Sequence, residues 1–167
     1  MYIHANMAVD LQQEKDPGVN AKMSDTSKTP MTCTCGRLRM ASRRVSRIYD
    51  RHLAPAGVGI AQFGLLATIL SNDGASVTTL AAILEMERTT LTRNLQPLER
   101  EGLLRIDQGA DQRTRAVRIT DAGRAVLKKG RPLWLEAQRA IETSLGPQHL
   151  AALHECLGIT LELVPEG

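Results

Sequence analysis

The sequence predicts a mostly α-helical fold with one small β-hairpin. Apolar residues recur at helical spacing in several segments, whereas the strings LLRIDQ and RAVRIT alternate apolar and polar residues around the polar string GADQRT. The 167 residues suffice for one domain with a real core. That core must be aliphatic, because the composition is 43% hydrophobic but only 2% aromatic.

The first third of the chain predicts a tail and two helices. Residues 1–32 mix polar, charged and proline residues without apolar periodicity, so we interpret them as a flexible N-terminal tail ahead of one domain over 33–167. A first helix is predicted over 36–53, with an apolar stripe on one side and arginines on the other. The string APAGVG ends it, and a second helix over 63–70 stops at an Asn-Asp-Gly turn.

Two short helices with a brief turn between them follow. Ser76 is a suitable N-cap for the third helix, and the fourth covers the string ERTTLTRNLQPLEREG, in which Gly102 suits the position just after a helix. Pro97 lacks a backbone donor and predicts a kink after Gln96. The pair is typical of a helix-turn-helix motif, and the β-hairpin that follows would be its wing.

The C-terminal third predicts two more helices. Thr120 or Asp121 can cap a fifth helix that runs to about residue 145 with a kink at Pro132, and Pro147 suits the first turn of a sixth. Leucines form a stripe along the sixth helix, and the stripes of the first and sixth helices are too apolar to remain exposed. We therefore expect dimerisation helices over 33–58 and 124–164, and a winged helix-turn-helix lobe over 60–123.

Charge and composition restrict the class of protein. The formal net charge is only +3, but no Lys or Arg lies beyond Arg139, so positive charge is concentrated in the middle of the chain. This distribution suggests a polyanionic partner. Three cysteines, no secretory apolar segment and no apolar run near 18 residues argue against a disulfide scaffold, a signal peptide and a membrane span. We expect a cytoplasmic protein without a membrane partner.

The fourth helix separates a core face from a polar face. Leu91, Leu95 and Leu98 share one side. Arginine can bond guanine bidentately, glutamine can bond adenine, and threonine can reach phosphate or a thymine methyl group. Double-stranded DNA is therefore the expected partner, contacted by Thr89, Thr90, Thr92, Arg93 and Gln96. Taken alone, the segment fits an ordinary amphipathic surface helix equally well.

The hairpin adds further cations. Arg113 lies in the loop, where a narrow minor groove could receive it, and Asp111 could hold its guanidinium in position. Arg115 follows in the second strand and joins the expected DNA-binding residues. The alternative is a solvated hairpin with a local ion pair, which would contribute little to stability.

The order of these elements resembles the MarR (multiple antibiotic resistance regulator) family of winged-helix regulators over residues 33–164. The resemblance is carried by QFGLLATIL, TTLTRNLQPLEREGLLRI, ADQRTRAVRIT and DAGRAVL, and it is specific over 76–124. It implies a DNA-binding transcriptional regulator, expected to be a repressor, that acts as a homodimer on a pseudo-palindromic operator. It also implies release by a small ligand or by thiol oxidation. No cofactor is expected.

The same resemblance implies an effector pocket between the first, second and fifth helices. Its candidate residues are Tyr49, His52 and Phe63, with Trp134 behind them. His52 continues the apolar stripe of the first helix, so a histidine packed in the core or at an interface is an equal alternative.

The cysteines leave three interpretations open. Cys33 and Cys35 precede the first helix, where the helix dipole and the following arginines favour a reactive thiolate, with Cys156 as a resolving partner. Together with His154 the three thiols could instead bind a metal across a dimer, or they could be inert. A thiol- or metal-dependent enzyme or a metal-binding protein that uses these residues is the rival function. The sequence shows no nucleophile with a base, no phosphate-binding glycine loop and no paired carboxylates to support an enzyme.

Overall fold

A computed structural model describes residues 33–108 and 115–163. These residues form, in chain order, α1 (Thr34–Leu53), a 3-10 turn (Ala54–Ala56), α2 (Ile60–Ser71), α3 (Val77–Ile83), α4 (Arg88–Arg100), β1 (Leu104–Gln108), β2 (Arg115–Ile119) and α5 (Asp121–Glu162). The mostly helical fold with a two-stranded hairpin is as predicted. The predicted tail at 1–32 lies outside the described residues.

Side-chain caps start three of the helices. The hydroxyl of Ser76 accepts from Thr79 N at 3.0 Å, and the hydroxyl of Thr120 accepts from Gly123 N at 3.1 Å. Both satisfy a backbone donor that the first helical turn leaves free. The sequence therefore predicts these two caps correctly. A third cap was not predicted: the Sγ atom of Cys33 accepts from Gly36 N at 3.3 Å at the start of α1.

The two predicted C-terminal helices form one element with a break inside it. The break is at Gly146, whose φ of 74° and ψ of 159° are non-helical, between the predicted end of the fifth helix near residue 145 and the predicted start of the sixth at Pro147. The backbone stays helical at Pro132. Glycine has no Cβ and adopts a positive φ without steric penalty, whereas a proline removes one hydrogen bond but keeps a helical φ. The same reason accounts for α4, which stays helical through Pro97 to Arg100.

The core is aliphatic, as the composition predicts. Each of the helices α2, α3 and α4 contributes at least one fully buried leucine. Among the described residues, Phe63 is the one buried aromatic side chain. No polar or charged side chain among those residues is buried. Burial of each leucine contributes roughly 1.5–3 kcal/mol. The largest fully buried side chains are Leu53, Leu66, Ile69, Leu80, Leu91, Leu95, Leu98, Leu104 and Val117.

The hairpin pairs antiparallel, with Leu104 opposite Ile119 and Gln108 opposite Arg115. The turn before α3 lies along the other edge of β2, where Ser76 and Ala116 form a β-bridge. The wing is therefore attached to the helix-turn-helix through the turn between α2 and α3.

An apolar stripe remains exposed on the last part of α5. The side chains of Leu153, Leu157 and Leu161 are 41%, 37% and 71% exposed. Leu38 and Val45 on α1 are also exposed. No residue within 33–108 and 115–163 covers these side chains.

No single helix within 33–108 and 115–163 is long and apolar enough to cross a bilayer. The segments Thr34–Ala56 and Ile60–Ser71 meet the length and composition only as a pair bent by 71°. The apolar residues of the second segment, α2, are largely core residues.

Candidate nucleic-acid interface

The fourth helix has the two faces that its sequence predicts. Leu91, Leu95 and Leu98 are fully buried and fix α4 against the core. On the other side, Thr89, Thr92, Arg93 and Gln96 are exposed and Thr90 is half-buried. The helix therefore presents hydrogen-bonding side chains of the types that contact bases and phosphates.

Two of these side chains have defined surroundings. The Thr92 hydroxyl donates to the Arg88 carbonyl at 2.8 Å, so it is partly engaged with its own helix. The Arg93 guanidinium makes no ion pair with another described residue, and its charge is available to a partner.

The turn between α3 and α4 fixes the start of the exposed helix. Glu85 adopts a left-handed conformation with φ of 50°, which is the one positive φ at a non-glycine among the described residues. Its amide donates to the Ala82 carbonyl at 3.2 Å, and the next amide, of Met86, donates to the Ala81 carbonyl at 2.9 Å. The turn is thus tightly bonded although glycine would fit its conformation with less strain.

The wing carries one arginine without a described counter-charge. The Asp107 carboxylate lies 3.2 Å from Arg105 Nε and 3.7 Å from Arg118 Nε, and it partly neutralises both. Arg115 at the start of β2 is exposed and pairs with neutral Gln108 across the hairpin. It forms no ion pair within the described parts of the chain. Asp111 and Arg113, predicted for the hairpin loop, lie outside the described residues.

A pocket of about 450 Å³ lies between α2 and α5. Phe63 and Trp134 contribute aromatic walls, Leu70 and Leu127 aliphatic ones, and Arg131 the one charge among its lining residues. Two of the four predicted effector residues, Phe63 and Trp134, are therefore brought together here.

The other two predicted residues stand outside this lining. Tyr49 stacks on Trp134, with the two ring centroids 6.3 Å apart and the ring planes at 24°. Its hydroxyl donates to Gln138 Oε1, and burial, followed by the carboxylate of Glu142, raises the pKa of the phenol above its ordinary value. The Nδ1 atom of His52 lies 2.9 Å from the Ile48 carbonyl of its own helix, so this histidine is engaged within α1.

A larger pocket, of about 690 Å³, was not predicted. It lies between α2 and α4, and Arg93, Asn94 and Pro97 form its wall on α4. The pocket exists partly because Gly64 has no side chain, and a Cβ built there meets no atom within 4 Å. Sequence periodicity cannot reveal a space of this kind.

The thiols are exposed and separate within one chain. Cys33, Cys35 and Cys156 are all free and exposed, and His154 is exposed on α5. Within residues 33–108 and 115–163, no three His, Cys, Asp or Glu side chains come close enough to hold a metal ion. The predicted metal site of three thiols and His154 is therefore not assembled within the described residues of one chain.

Comparison with known proteins identifies the family. A sequence model of the MarR family matches residues 56–114. The transcriptional regulator MosR of M. tuberculosis, solved in complex with DNA, is 39% identical, with a TM-score of 0.67 over 78% of this chain and 96% of that chain. The chain belongs to the MarR family.

Two further structures of the family are similar. A cysteine-to-serine mutant of E. coli MarR complexed with operator DNA is 25% identical, with a TM-score of 0.69 over 75% of this chain and 92% of that chain. The transcriptional repressor CouR, bound to p-coumaroyl-CoA, is 25% identical, with a TM-score of 0.72 over 86% of this chain and 99% of that chain. No curated protein sequence matches significantly. As a MarR-family member the chain is a DNA-binding transcriptional regulator and not an enzyme, which removes the rival enzyme.

Proposed function

We propose that this regulator is a repressor that binds a pseudo-palindromic operator as a homodimer in the cytoplasm and is released by an effector. The observation that carries the proposal is the division of α4, with three leucines fully buried and Arg93 exposed, next to a wing that carries the exposed Arg115; neither arginine has an ion partner among the described residues. MosR and MarR, which share this fold, were solved with DNA, and this supports the proposal.

The two arginines have different expected roles. Arg93 on α4 is suited to base edges, so Arg93→Ala should reduce the preference for the operator by about 1–3 kcal/mol at one base pair. Arg115 in the wing is suited to the phosphate backbone, so Arg115→Ala should weaken binding to all sequences and lower the salt dependence by about one phosphate contact.

The measurement is fluorescence anisotropy with an operator selected from random DNA and with a scrambled duplex, at several salt concentrations. Arg139→Ala is the matched control, because Arg139 is exposed on α5 outside the helix-turn-helix and wing. Equal losses on both duplexes for Arg93→Ala would remove this residue from base recognition. Unchanged binding for both variants would reject the proposed surface.

The homodimer is proposed from the uncovered apolar stripe on α5. Leu153 and Leu157 lie on one side of the helix after Gly146 and are exposed in the single chain. A second copy that packs its own stripe against them would remove this surface from water, and symmetric dimers commonly do so. Two copies would also present two recognition helices to two half-sites.

Light scattering should give twice the 18.3 kDa mass of the chain. Leu157→Asp should produce monomers. Ile159→Asp should not, because Ile159 is exposed on the opposite side of the same helix and thus serves as the control. A monomeric wild-type protein at micromolar concentration would refute the dimer and the palindrome together.

A small ligand in the pocket between α2 and α5 is the first proposed release signal. The aromatic walls Phe63 and Trp134 with the single cation Arg131 suit an aromatic carboxylate or thioester anion. The structure of CouR with p-coumaroyl-CoA shows that one similar repressor accepts such a ligand, and this supports the proposal.

Trp134 is the one tryptophan of the chain, so its fluorescence reports directly on this pocket. We expect a set of benzoates, cinnamates and p-coumaroyl-CoA to contain compounds that change this fluorescence and release operator DNA. Arg131→Ala should weaken their binding and Arg139→Ala should not. If no compound changes either signal, the ligand part of the proposal is rejected.

Oxidation of thiols is the second proposed release signal. Cys33 and Cys35 are exposed at the start of α1, and Cys33 Sγ already accepts from a helix amide. Hydrogen peroxide would convert two thiols to a disulfide and two waters, for example between this arm and Cys156 of a second chain. A zinc site built from the same thiols and His154 is the alternative.

Operator binding is measured with and without peroxide, and with zinc chelated or supplied, for the wild type and for the double variant Cys33→Ser, Cys35→Ser. Peroxide should release DNA from the wild type only. If neither peroxide nor zinc changes binding by the wild type, the thiols are inert.

A further inference from the structure

The turn between α2 and α3 forms backbone hydrogen bonds with the edge of β2 that does not face β1. β1 pairs with one edge of β2, so the backbone groups on the other edge need separate partners. Gly74 N donates to the Val117 carbonyl, and Val117 N donates to the Ala75 carbonyl, both at 2.9 Å. The turn thus serves as a short third strand that reaches as far as Val117.

Two residues beyond Val117, the side chain of Asp73 is the hydrogen-bond partner of β2. Its Oδ1 accepts from Ile119 N at 3.1 Å, although the two residues are 46 positions apart in the chain. Its Oδ2 accepts from Arg124 Nη2 at 3.3 Å. One carboxylate therefore contacts the last residue of β2 and the first turns of α5.

These contacts bear on where the wing points. A two-stranded hairpin is only marginally stable alone, so its orientation depends on what holds its base. Arg115 lies on the same strand as Ile119, four residues earlier. A shift of β2 at Ile119 would move Arg115 with it.

We propose that Asp73 is a positioning residue for DNA binding, which holds β2 by its bond to Ile119 N so that Arg115 reaches the DNA. The inference rests on the proposed function, because it requires the wing to contact DNA. The two carboxylate oxygens of Asp73 accept hydrogen bonds from Ile119 N on the wing and from Arg124 Nη2 on α5.

Three substitutions separate the two bonds of the carboxylate. Asp73→Ala removes both. Asp73→Asn keeps an oxygen that can accept from Ile119 N and removes the charge that faces Arg124. Arg124→Ala removes the ion pair alone, which is largely exposed and contributes little. We expect Asp73→Ala to lower operator affinity about 3- to 10-fold, and the other two to stay within about twofold of the wild type.

A double-mutant cycle shows whether the effect passes through the wing. Asp73→Ala is measured in the wild type and in Arg115→Ala, by anisotropy with concentrations corrected for the DNA-competent fraction. If Asp73 positions Arg115, the second substitution should add almost nothing once Arg115 is absent, and the preference for operator over scrambled DNA set by α4 should not change.

The inference is overturned by equal losses in the two backgrounds, because general destabilisation would produce them. It is also overturned if Asp73→Ala binds like the wild type while Arg115→Ala does not, or if Asp73→Asn loses as much affinity as Asp73→Ala. If Arg93→Ala and Arg115→Ala both leave DNA binding unchanged, it is the proposed function that fails, and this result is distinct from the others.

Discussion

Gly123 lies in the first turn of α5, where this helix contacts Leu103 between α4 and β1. Replacing Gly123 with alanine should destabilise the fold. A Cβ built at Gly123 lies 2.1 Å from the carbonyl oxygen of Leu103 and 2.8 Å from Ile119 Cγ1. Real Cβ atoms keep about 3.0 Å, so Leu103 and the helix must separate by about 0.9 Å. The same carbonyl accepts from Thr120 N at 3.2 Å, and this bond would be strained as well.

The magnitude follows from these contacts. Forcing one carbon into a packed contact costs about 1–3 kcal/mol, and weakening one hydrogen bond adds up to about 1 kcal/mol. The greater helix propensity of alanine offsets about 0.5–1 kcal/mol of this destabilisation. We therefore expect Gly123→Ala to lower the free energy of unfolding by about 1–3 kcal/mol.

Gly64 provides the matched control. It lies in the interior of α2, and a Cβ built there meets no atom within 4 Å. Gly64→Ala should therefore raise the free energy of unfolding by about 0.5–1 kcal/mol. Urea unfolding is followed by circular dichroism at one protein concentration, because dimer stability depends on concentration. A Gly123→Ala midpoint equal to or above that of the wild type would refute the reasoning.

Three other substitutions test separate features of the fold. Glu85→Gly should stabilise the protein by about 1 kcal/mol in urea unfolding, because glycine adopts the observed φ of 50° without strain. Leu95→Ala should cost about 2–5 kcal/mol in the same assay, since Leu95 is fully buried on the core side of α4. Tyr49 has a pKa raised above 10.0 by burial and by Glu142, so its contribution to stability is complete below pH 10 and is lost as pH rises through the raised value. Tyr49→Phe should remove this alkaline loss, and an unchanged pH profile would contradict it.

The helices and the hairpin could be predicted because their signals are local. Buried leucines at helical spacing mark α4, and the hydroxyls of Ser76 and Thr120 mark two helix starts within three residues of the amides they bind. Periodicity and capping depend on neighbours in the chain, so one sequence is enough to recognise them.

The break in α5 falls where the sequence predicts the end of the fifth helix near residue 145 and the start of the sixth at Pro147. Gly146 adopts a positive φ that residues with a Cβ avoid, and Pro147 suits the first turn of a new helix. Both signals are local, so one sequence is enough to place the break.

The contacts that complete the sites join distant parts of the chain. Asp73 meets Ile119 across 46 positions, and Tyr49 meets Gln138 across 89. Nothing in the sequence near either residue reveals its partner. Of the predicted effector residues, Phe63 and Trp134 could be placed in one pocket by resemblance to a family, whereas the contact of His52 with the Ile48 carbonyl could not be predicted from residue type.

One face of α5 connects the wing, the pocket and α1 in chain order. Arg124 bonds to Asp73, Arg131 and Trp134 line the pocket, and Gln138 accepts from Tyr49. These positions recur every three to seven residues, so they share one side of a helix that spans about 21 Å between the first and the last.

A ligand in this pocket would therefore press on the middle of a stiff element that is anchored at both ends. The nearer end continues directly from β2 through the Thr120 cap, lies with Gly123 against Leu103 and Ile119, and pairs Arg124 with Asp73, so it moves together with the wing. The farther end leads through Gly146 to the proposed dimer interface. We therefore expect a ligand that displaces this helix to shift the wings relative to each other rather than to separate the dimer. Two half-sites lie about 34 Å apart, and a change in the spacing of the two DNA-binding lobes is sufficient to lose one of them. Light scattering with saturating ligand should still give a dimer, and ligand-induced monomers would refute this mechanism.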